Sequence, residues 1–336
     1  MRTWPTFSIR RRKGAVLAAL ILLLLAAAAL SIRFGSSSLS FSQVLEALAG
    51  KGTGTAASIV RHVRLPRTLA AMLAGAALAV SGVLLQAVLH NPLAGPHIIG
   101  VNAGSGFFVL GLTALWPHRP SLVPAAAFAG ALLACLLIYA LAVGTGASRI
   151  TIVLAGVAVS GLFGAGSDAL TTLFPDAAVG SNTFRMGGFS GVTMQAVGFA
   201  LPYILAGLAL ALLLSYDMNV LALGEETAQG LGLRVGLYRF VLLVLAAVLA
   251  GGAVSLGGLL SFVGLLAPHI VRLLLGGDHR WQVPGAALLG GAFVLICDWL
   301  ARMLFAPYEL PVGILLNFLG VPFFLFLLFR QRRRPT

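Results

Sequence analysis

Long apolar stretches, separated by short polar or Gly/Pro-rich segments, fill most of this chain. A helix needs roughly 20 apolar residues to cross the hydrocarbon core of a bilayer. Charges, Pro/Gly clusters and polar runs divide the apolar sequence into stretches of about that length. The pattern predicts ten membrane-spanning helices, near residues 14–32, 65–89, 97–115, 121–143, 150–174, 195–216, 237–257, 259–276, 283–305 and 310–329. The predicted fold class is therefore an all-α, polytopic membrane protein.

The amino-acid composition supports a membrane location and limits the possible partners. Hydrophobic residues make up 59% of the chain and charged residues only 9%, against about 25% charged residues in soluble domains. A net charge of +13 would suit nucleic acid. The basic residues, however, lie at the ends of the predicted helices, where anionic lipid headgroups are the expected partner. We therefore expect membrane lipid, and not nucleic acid, as a partner.

The distribution of arginine and lysine predicts the orientation of the helices. If the N-terminus is cytoplasmic, eight of the 22 basic residues fall at outer helix ends and the remaining fourteen at cytoplasmic ends. The eight outer residues are Arg33, Lys51, Arg61, Arg64, Arg67, Arg119, Arg185 and Arg302. Because cytoplasmic loops carry an excess of basic residues, this distribution favours both termini in the cytoplasm.

Two segments of the chain resemble each other. AAMLAGAA at 70–77 is followed by PHII at 96–99, and AAVLAGGA at 246–253 is followed by PHIV at 268–271. The copies fall on the second and seventh predicted helices, which cross the membrane in opposite directions, so the internal repeat is inverted, as in many transporters. Each copy has a Pro where a helix would restart. Broken helices at membrane depth need surrounding protein or a water-filled cavity, so the pattern indicates a transport pathway.

The chain lacks a recognisable motif for ATP hydrolysis. No GxxxxGK[ST] sequence is present, since Lys51 in AGKGTG lacks both the first Gly and the Ser/Thr. Two carboxylates lie clearly within predicted helices. Asp298 can pair with Arg302, four residues on, which leaves Asp168 as the candidate for proton or ion coupling. An ion-coupled secondary transporter that uses Asp168 is therefore the alternative to a transporter driven by a separate ATPase.

One predicted cytoplasmic connection differs from its apolar surroundings. The sequence GEETAQGLGLRVGLYR at 224–239 has two adjacent carboxylates, Glu225 and Glu226, and a short amphipathic pattern that ends with Arg234 and Arg239. A short structured loop with a mixed polar face is suited to contact with a cytoplasmic partner that drives transport. An ordinary solvated loop is the alternative explanation.

Five motifs, in order, resemble those of the FecCD-type permeases of bacterial ABC importers for ferric siderophores, haem or cobalamin. They are RLPRTLAAMLAGAALAVSGVLLQ at 64–86, NPLAGPHIIGVNAGSG at 91–106, LALGEETAQGLGL at 221–233, SFVGLLAPHIVRLLLGGDHR at 261–280 and ELPVGILLNFLGVPFF at 309–324. The resemblance covers the chain from about residue 40 onward.

The resemblance implies a permease subunit, not an enzyme, in the bacterial cytoplasmic (inner) membrane. It implies two cytoplasmic ATP-binding subunits, an extracytoplasmic substrate-binding protein and a second permease copy in a homodimer. An iron chelate of the siderophore type is the expected cargo, with haem and cobalamin as alternatives in the family, and no cofactor is expected.

The resemblance also implies roles for individual residues. It places the family's coupling helices at residues 219–238, with ATPase contacts at Gly224, Glu225, Glu226, Ala228, Leu231 and Gly232. It places a cytoplasmic gate at Asn91 and Leu93 of the NPLAG motif and at Ser148 of the GASR sequence. The fifth and tenth predicted helices would line the pathway.

Of the seven arginines at outer helix ends, against the positive-inside rule, three are candidates for a specific contact: Arg64, Arg67 and Arg302. Arginine presents a planar fork that suits carboxylates, and the resemblance implies a binding protein that docks through glutamates. We therefore predict docking by these arginines. The alternatives are contact with lipid headgroups and, for Arg302, pairing with Asp298.

No metal or redox site is predicted. The two cysteines lie singly within apolar spans, and no histidine has a second ligand at regular helical spacing. We expect packing and hydrogen-bonding roles for Cys135, Cys297, His90, His97, His269 and His279.

Overall fold

The computed structural model describes residues 6–35, 39–51, 54–143 and 148–332, and all regular structure in these ranges is helical. The α-helices, numbered in chain order, are α1 Thr6–Arg33, α2 Phe41–Leu48, α3 Thr55–Ile59, α4 Leu65–Leu89, α5 Val101–Leu115, α6 Val123–Val143, α7 Arg149–Leu173, α8 Pro175–Met186, α9 Met194–Leu213, α10 Ser215–Leu221, α11 Glu225–Gly230, α12 Val235–Gly257, α13 Val263–Leu275, α14 His279–Met303 and α15 Val312–Arg332. A π-helical segment at Val60–Arg64 joins α3 to α4, and short 3₁₀ helices lie at Pro96–Ile99 and Pro120–Leu122. The all-α fold class is confirmed.

Seven helical segments of the described chain are long and apolar enough to cross a membrane: Arg10–Arg33, Thr55–Leu89, Pro120–Val143, α7, α9, α12 and α14. Shorter apolar helices lie at α5, at α13 and at Val312–Leu325 in α15. These ten elements overlap the ten predicted spans, with bounds that differ by up to ten residues. The three short ones include both helices that follow a repeated segment.

Two predicted spans are broken near their first residues. The predicted 97–115 helix is a 3₁₀ turn followed by α5, with Gly100 between them at φ 71°. The predicted 259–276 helix starts late, at α13, because Gly258 (φ 66°) and Phe262 (φ 64°) take left-handed conformations that a right-handed helix cannot contain. The first break follows the repeated Pro-His-Ile sequence, whereas the second precedes it, because Pro268 lies inside α13. Each half of the chain thus has an interrupted helix near this sequence, but the prediction that a helix restarts at Pro268 is wrong.

Helices α4 and α12, which carry the repeated segments, lie at the centre of the bundle. Almost every residue of α4 is buried, and so is most of α12. Helix α4 packs along α14, while α12 packs along α6. Because α6 and α14 occupy equivalent places after the two repeated segments, each central helix packs against the other half of the chain. The contact of α4 with α14 and the contact of α12 with α6 are therefore equivalent, as expected for two halves related by a two-fold axis.

Matching glycines of the repeat lie at these contacts. A Cβ added to Gly75 in α4 would overlap the carbonyl group of Gly290 in α14. A Cβ added to Gly251 in α12 would lie 3.1 Å from Cβ of Ala131 in α6. Small residues allow helix backbones to approach closely within a membrane, so the sequence repeat corresponds to a repeated packing contact.

Several short helices lie in segments that were predicted only as connections. The longest of them, α8, has typical helix-end signals: Pro175 at its first position, Asp176 in its first turn and Arg185 in its last. Its mixed composition contains no long apolar run. A pattern of hydrophobic stretches therefore cannot predict it, although its end signals are present in the sequence.

Candidate gate and coupling site

The residues predicted to function lie at two ends of the bundle. Helix α4 ends at Leu89, and Nε2 of the next residue, His90, lies 2.9 Å from the carbonyl oxygen of Leu221, just before α11. We call this the coupling end. The end at which α4 begins, beside Arg64, we call the arginine end.

Helix α11 is held on one side and exposed on the other. Gly224 (φ 106°) and Gly232 (φ 86°) flank it in conformations that other residues rarely adopt. Ala228 is fully buried against the bundle, whereas Glu226 is exposed and Leu231 is 63% exposed. The outer face of α11 therefore combines a carboxylate with an uncovered leucine, as a contact surface for a partner requires.

The two adjacent glutamates of α11 have different surroundings. Oε1 of Glu225 accepts a hydrogen bond from Arg239 at 2.6 Å and forms an ion pair with Arg149 at 3.0 Å. Burial alone raises the pKa of Glu225, but the hydrogen bond and charge of Arg239 and the charge of Arg149 outweigh burial and lower the pKa below its usual value. Glu225 is therefore ionised at physiological pH and connects α11 with α7 and α12. Within the described residues, Glu226 has neither a hydrogen bond nor an ion pair.

Further contacts fix the segment before α11. A carbonyl oxygen can only accept, so Nε2 of His90 donates to Leu221. Burial lowers the pKa of His90, which keeps the ring neutral at pH 7. Asn219 in α10 donates to Asp278 at 2.8 Å and accepts from the backbone N–H of His279 at 2.9 Å. The coupling end thus joins α10 to the end of α4 and to the start of α14.

Two of the three predicted gate residues lie in the loop after α4. Oδ1 of Asn91 accepts a hydrogen bond from the backbone N–H of Leu93 at 2.9 Å, which is the local turn that Asn commonly forms. Leu93 lines a cavity of about 320 Å³ together with Leu265, Phe262 and Phe324. Leu93 and Leu265 each precede the Pro of a repeated Pro-His-Ile sequence by three residues. Equivalent positions of the two halves therefore meet at this cavity.

The third predicted gate residue, Ser148, lies beside α11. Its Oγ accepts a hydrogen bond from the backbone N–H of Thr151 at 3.2 Å and so caps α7. Ser148 lines an open cleft of about 870 Å³ with Glu225, Glu226 and Arg239. The structure thus places Ser148 with the coupling segment, while Leu93 lines a different cavity. The gate role of all three residues remains a prediction.

At the arginine end, one buried carboxylate binds two arginines. Asp298 accepts hydrogen bonds from Arg67 at 3.0–3.1 Å and forms an ion pair with Arg302 at 3.3 Å. The predicted pairing of Asp298 with Arg302 is therefore confirmed. Arg67 also binds Glu309 at 2.7 Å, and Arg302 donates to Oγ of Ser31 at 2.9 Å. This network joins α1, α4 and α14 to the loop before α15.

The three arginines predicted to dock a binding protein are buried within this chain. Arg64, Arg67 and Arg302 are 4%, 7% and 5% exposed. Arg64 donates to the carbonyl oxygens of Ile32 and Arg33, both at 2.8 Å, at the end of α1. Docking by these arginines stays a prediction, but in this conformation their guanidinium groups face partners inside the chain.

No three His, Cys, Asp or Glu side chains of the described residues lie close enough together to hold a metal ion. Cys135 and Cys297 are both buried, and Sγ of Cys135 lies 3.6 Å from the carbonyl oxygen of Leu243. Of the histidines away from the coupling end, His97 lines the smaller cavity, and His269 meets the ring of Phe323 edge-on at 6.0 Å.

Several residues of these networks were not singled out from the sequence, among them Glu309 and Arg149. Glu309 lies far from Arg67 along the chain, and nothing in its local pattern indicates a partner. The partner of Arg149 could have been expected from the sequence, because Arg149 is the first residue of α7. A cation at a helix N-terminus opposes the helix dipole, so an arginine at that position indicates a nearby carboxylate.

Comparison with known proteins gives matches along nearly the whole chain. The sequence model of the FecCD transport family matches residues 22–330. The iron(3+)-hydroxamate import permease FhuB of Bacillus subtilis is 38% identical over 308 residues, which cover 90% of this chain and 80% of that protein. The ferric enterobactin permease FepD of Escherichia coli is 38% identical over 309 residues, covering 91% and 92%. The hemin permease HmuU of Yersinia pestis is 38% identical over 282 residues, covering 82% and 84%.

A solved structure of an inward-facing ABC transporter, assigned to the metal-chelate type, has the same fold. Its TM-score against this chain is 0.81 at 30% sequence identity, and the match covers 94% of this chain and 99% of the other.

The apolar spans, the interrupted helices and the paired halves are those of a multi-pass membrane permease. This chain belongs to the FecCD transport family. It is the permease subunit of an ABC importer in the inner membrane, and ATP hydrolysis belongs to a partner ATPase rather than to this chain.

Proposed function

We propose that the chain carries a ferric chelate of the siderophore type into the cell. In the assembly that we propose, two copies of the chain form a central pathway, two ATPase subunits bind at the coupling end and an extracytoplasmic binding protein docks at the arginine end. Relatives named for iron(3+)-hydroxamate, ferric citrate and ferric enterobactin import support this cargo. Haem and cobalamin are the alternatives, since permeases for hemin and cobalamin are 38% and 41% identical to this chain.

The exposed face of α7 supports the proposal that two copies of the chain associate. Leu154, Val157 and Leu162 are each more than 60% exposed on this helix. Asp168 is exposed on the same helix and forms no side-chain hydrogen bond or ion pair within the described chain. A Cβ added to Gly161 would meet open space. A carboxylate that faces lipid is costly, so a partner or a water-filled pathway is the better surrounding for this face.

The coupling end supports the proposed ATPase contact and the orientation. The exposed face of α11 has Glu226 and Leu231 beside the cleft at Ser148. The excess of basic residues at this end of the predicted helices favours its location in the cytoplasm, with both chain termini on the same side. The gate that we propose consists of Asn91, Leu93 and Ser148, at the same end.

Docking of the binding protein at the arginine end needs a rearrangement or a different contact residue, because Arg64 is buried. Glu309 has a side chain that is 40% exposed and already holds Arg67. Binding-protein affinity of an Arg64→Glu variant at low and high salt tests docking, with correct insertion checked separately. Docking predicts a marked loss at low salt and a smaller loss at high salt; unchanged affinity at every salt concentration would contradict it.

The proposed cargo and assembly have a direct test. The cognate binding protein, purified from cells grown on mixed iron sources, should retain a ferric chelate that mass spectrometry identifies. The permease, purified with its ATPase, should have the mass of two copies of each. Retained haem or cobalamin would replace the siderophore, and a complex with a single permease copy would contradict the proposed pathway.

A further inference from the structure

One carboxylate at the coupling end binds two different helices. Glu225 is the first residue of α11, Arg149 is the first residue of α7, and Arg239 lies in the second turn of α12. Both guanidinium groups reach the same oxygen, Oε1, at 3.0 Å and 2.6 Å. Without that oxygen, two like charges would face each other at short range.

Neither arginine is placed to stabilise its own helix. Arg149 begins a helix of 25 residues, where a cation opposes the helix dipole. The side chain of Arg239 is only 7% exposed, and a buried charge needs a partner. Since Glu225 supplies a partner to both, the cluster is a connection between helices.

The connection lies between the surface proposed for the ATPase and the predicted gate. Glu226 of α11 and Leu231, directly after α11, are exposed, whereas Glu225 is half-buried. Helix α7 begins one residue after Ser148, which caps it. An ion pair between Glu225 and Arg149 therefore connects α11 with the gate end of α7.

We propose that Glu225 transmits the movement of α11 to α7 by holding Arg149 and Arg239 on one carboxylate oxygen. This inference rests on the proposed function, in which an ATPase moves α11. Glu225 is a positioning residue in this role. Glu46, an exposed glutamate in α2, lies outside the surface proposed for the ATPase and is the matched control.

A thiol reporter on α7 tests the transmission without knowledge of the cargo. Cys135 and Cys297 are buried, so Ile150→Cys, at a position that is 73% exposed, provides the reactive thiol. The full complex with its ATPase is treated with a water-soluble maleimide, with and without ATP. The rate of modification should change with ATP in the reporter chain. Adding Glu225→Gln should reduce this ATP-dependent change about tenfold, a typical size for coupling between sites, whereas adding the matched control Glu46→Gln should leave it intact.

A second variant tests the inference without leaving a buried charge unpaired. Arg149→Gln leaves the contact between Glu225 and the buried Arg239 in place, so the chain keeps its buried charge paired. It should lose the ATP-dependent change as Glu225→Gln does. The double variant should lose no more of the ATP-dependent change in modification rate than either single variant, because the effects of residues that act as one unit are not additive.

The outcomes separate this inference from the proposed function. A full response to ATP in Glu225→Gln or in Arg149→Gln, with the ATPase bound, would overturn the inference. So would a reporter on α7 that does not respond to ATP in the complex with Glu225 and Arg149 intact. Failure of the unaltered chain to bind any ABC ATPase would instead contradict the proposed function.

Discussion

Asp298 is fully buried and has two arginines as partners, Arg67 at 3.0 Å and Arg302 at 3.3 Å. The second carboxylate, Glu309, binds Arg67 at 2.7 Å from the loop before α15. Two positive and two negative charges thus make a cluster that is neutral in sum. Removal of one member of a buried pair leaves an uncompensated charge, which costs far more than the intact pair contributes.

Asp298→Asn should therefore destabilise the protein strongly. We expect the free energy of unfolding to fall by about 3 to 5 kcal/mol, because Arg67 and Arg302 lose their shared charge. Denaturant unfolding of the purified protein in detergent measures the loss. Asp168→Asn is the matched control and should change stability by less than about 0.5 kcal/mol, as for most exposed positions. Equal stability of the two variants would contradict the buried network.

Glu226→Lys should act on assembly rather than on folding. Its side chain is exposed in α11, and reversal of a charge at the rim of an interface changes association and its salt dependence. Affinity for the ATPase subunit should fall at low salt and recover partly at high salt, with stability unchanged. Unchanged affinity at low salt would leave this part of α11 as a solvated surface.

At the scale of helices, close contacts between glycines set the packing of the bundle. A Cβ added to Gly82 in α4 would overlap the carbonyl group of Gly264 in α13, whereas one added to Gly198 in α9 would meet open space. Both glycines lie inside helices, where alanine has the higher helix propensity. The same substitution should therefore have opposite effects at the two positions.

Gly82→Ala should destabilise the protein by about 1 to 3 kcal/mol through overpacking, and Gly198→Ala should be neutral or slightly stabilising. Thermal unfolding of the two variants in the same detergent measures the difference. If Gly82→Ala were as stable as Gly198→Ala, the close approach of α4 and α13 would be incorrect.

Some of these helices can be predicted from the sequence and others cannot, for physical reasons. Long apolar runs such as α4 and α12 are visible because a membrane demands about 20 apolar residues. The short polar helix α8 has no such run, and the break at Phe262 puts a bulky residue in a left-handed conformation that its local propensity disfavours. At the candidate site, sequence indicates the residue types of α11. It does not indicate that Glu225 faces Arg149, since that contact joins residues 76 positions apart.

At the scale of the whole molecule, the chain is one subunit of a larger transport complex. The exposed faces of α7 and α11 are uncovered in the single chain, and no ATP-binding motif of the Walker type occurs in its sequence. Asp168 is the residue on which an ion-coupled mechanism would depend. In an ATP-driven importer, Asp168→Asn should reduce transport only modestly.

Uptake into proteoliposomes tests the central claim most directly. The chain is reconstituted alone or with its ATPase and binding protein, and uptake of the chelate that the binding protein retains is measured with ATP or with a proton gradient. We expect no ATP hydrolysis and no accumulation by the chain alone, and accumulation only when the ATPase and ATP are both present. Accumulation by the chain alone on a proton gradient, abolished by Asp168→Asn, would contradict the account and establish a secondary transporter.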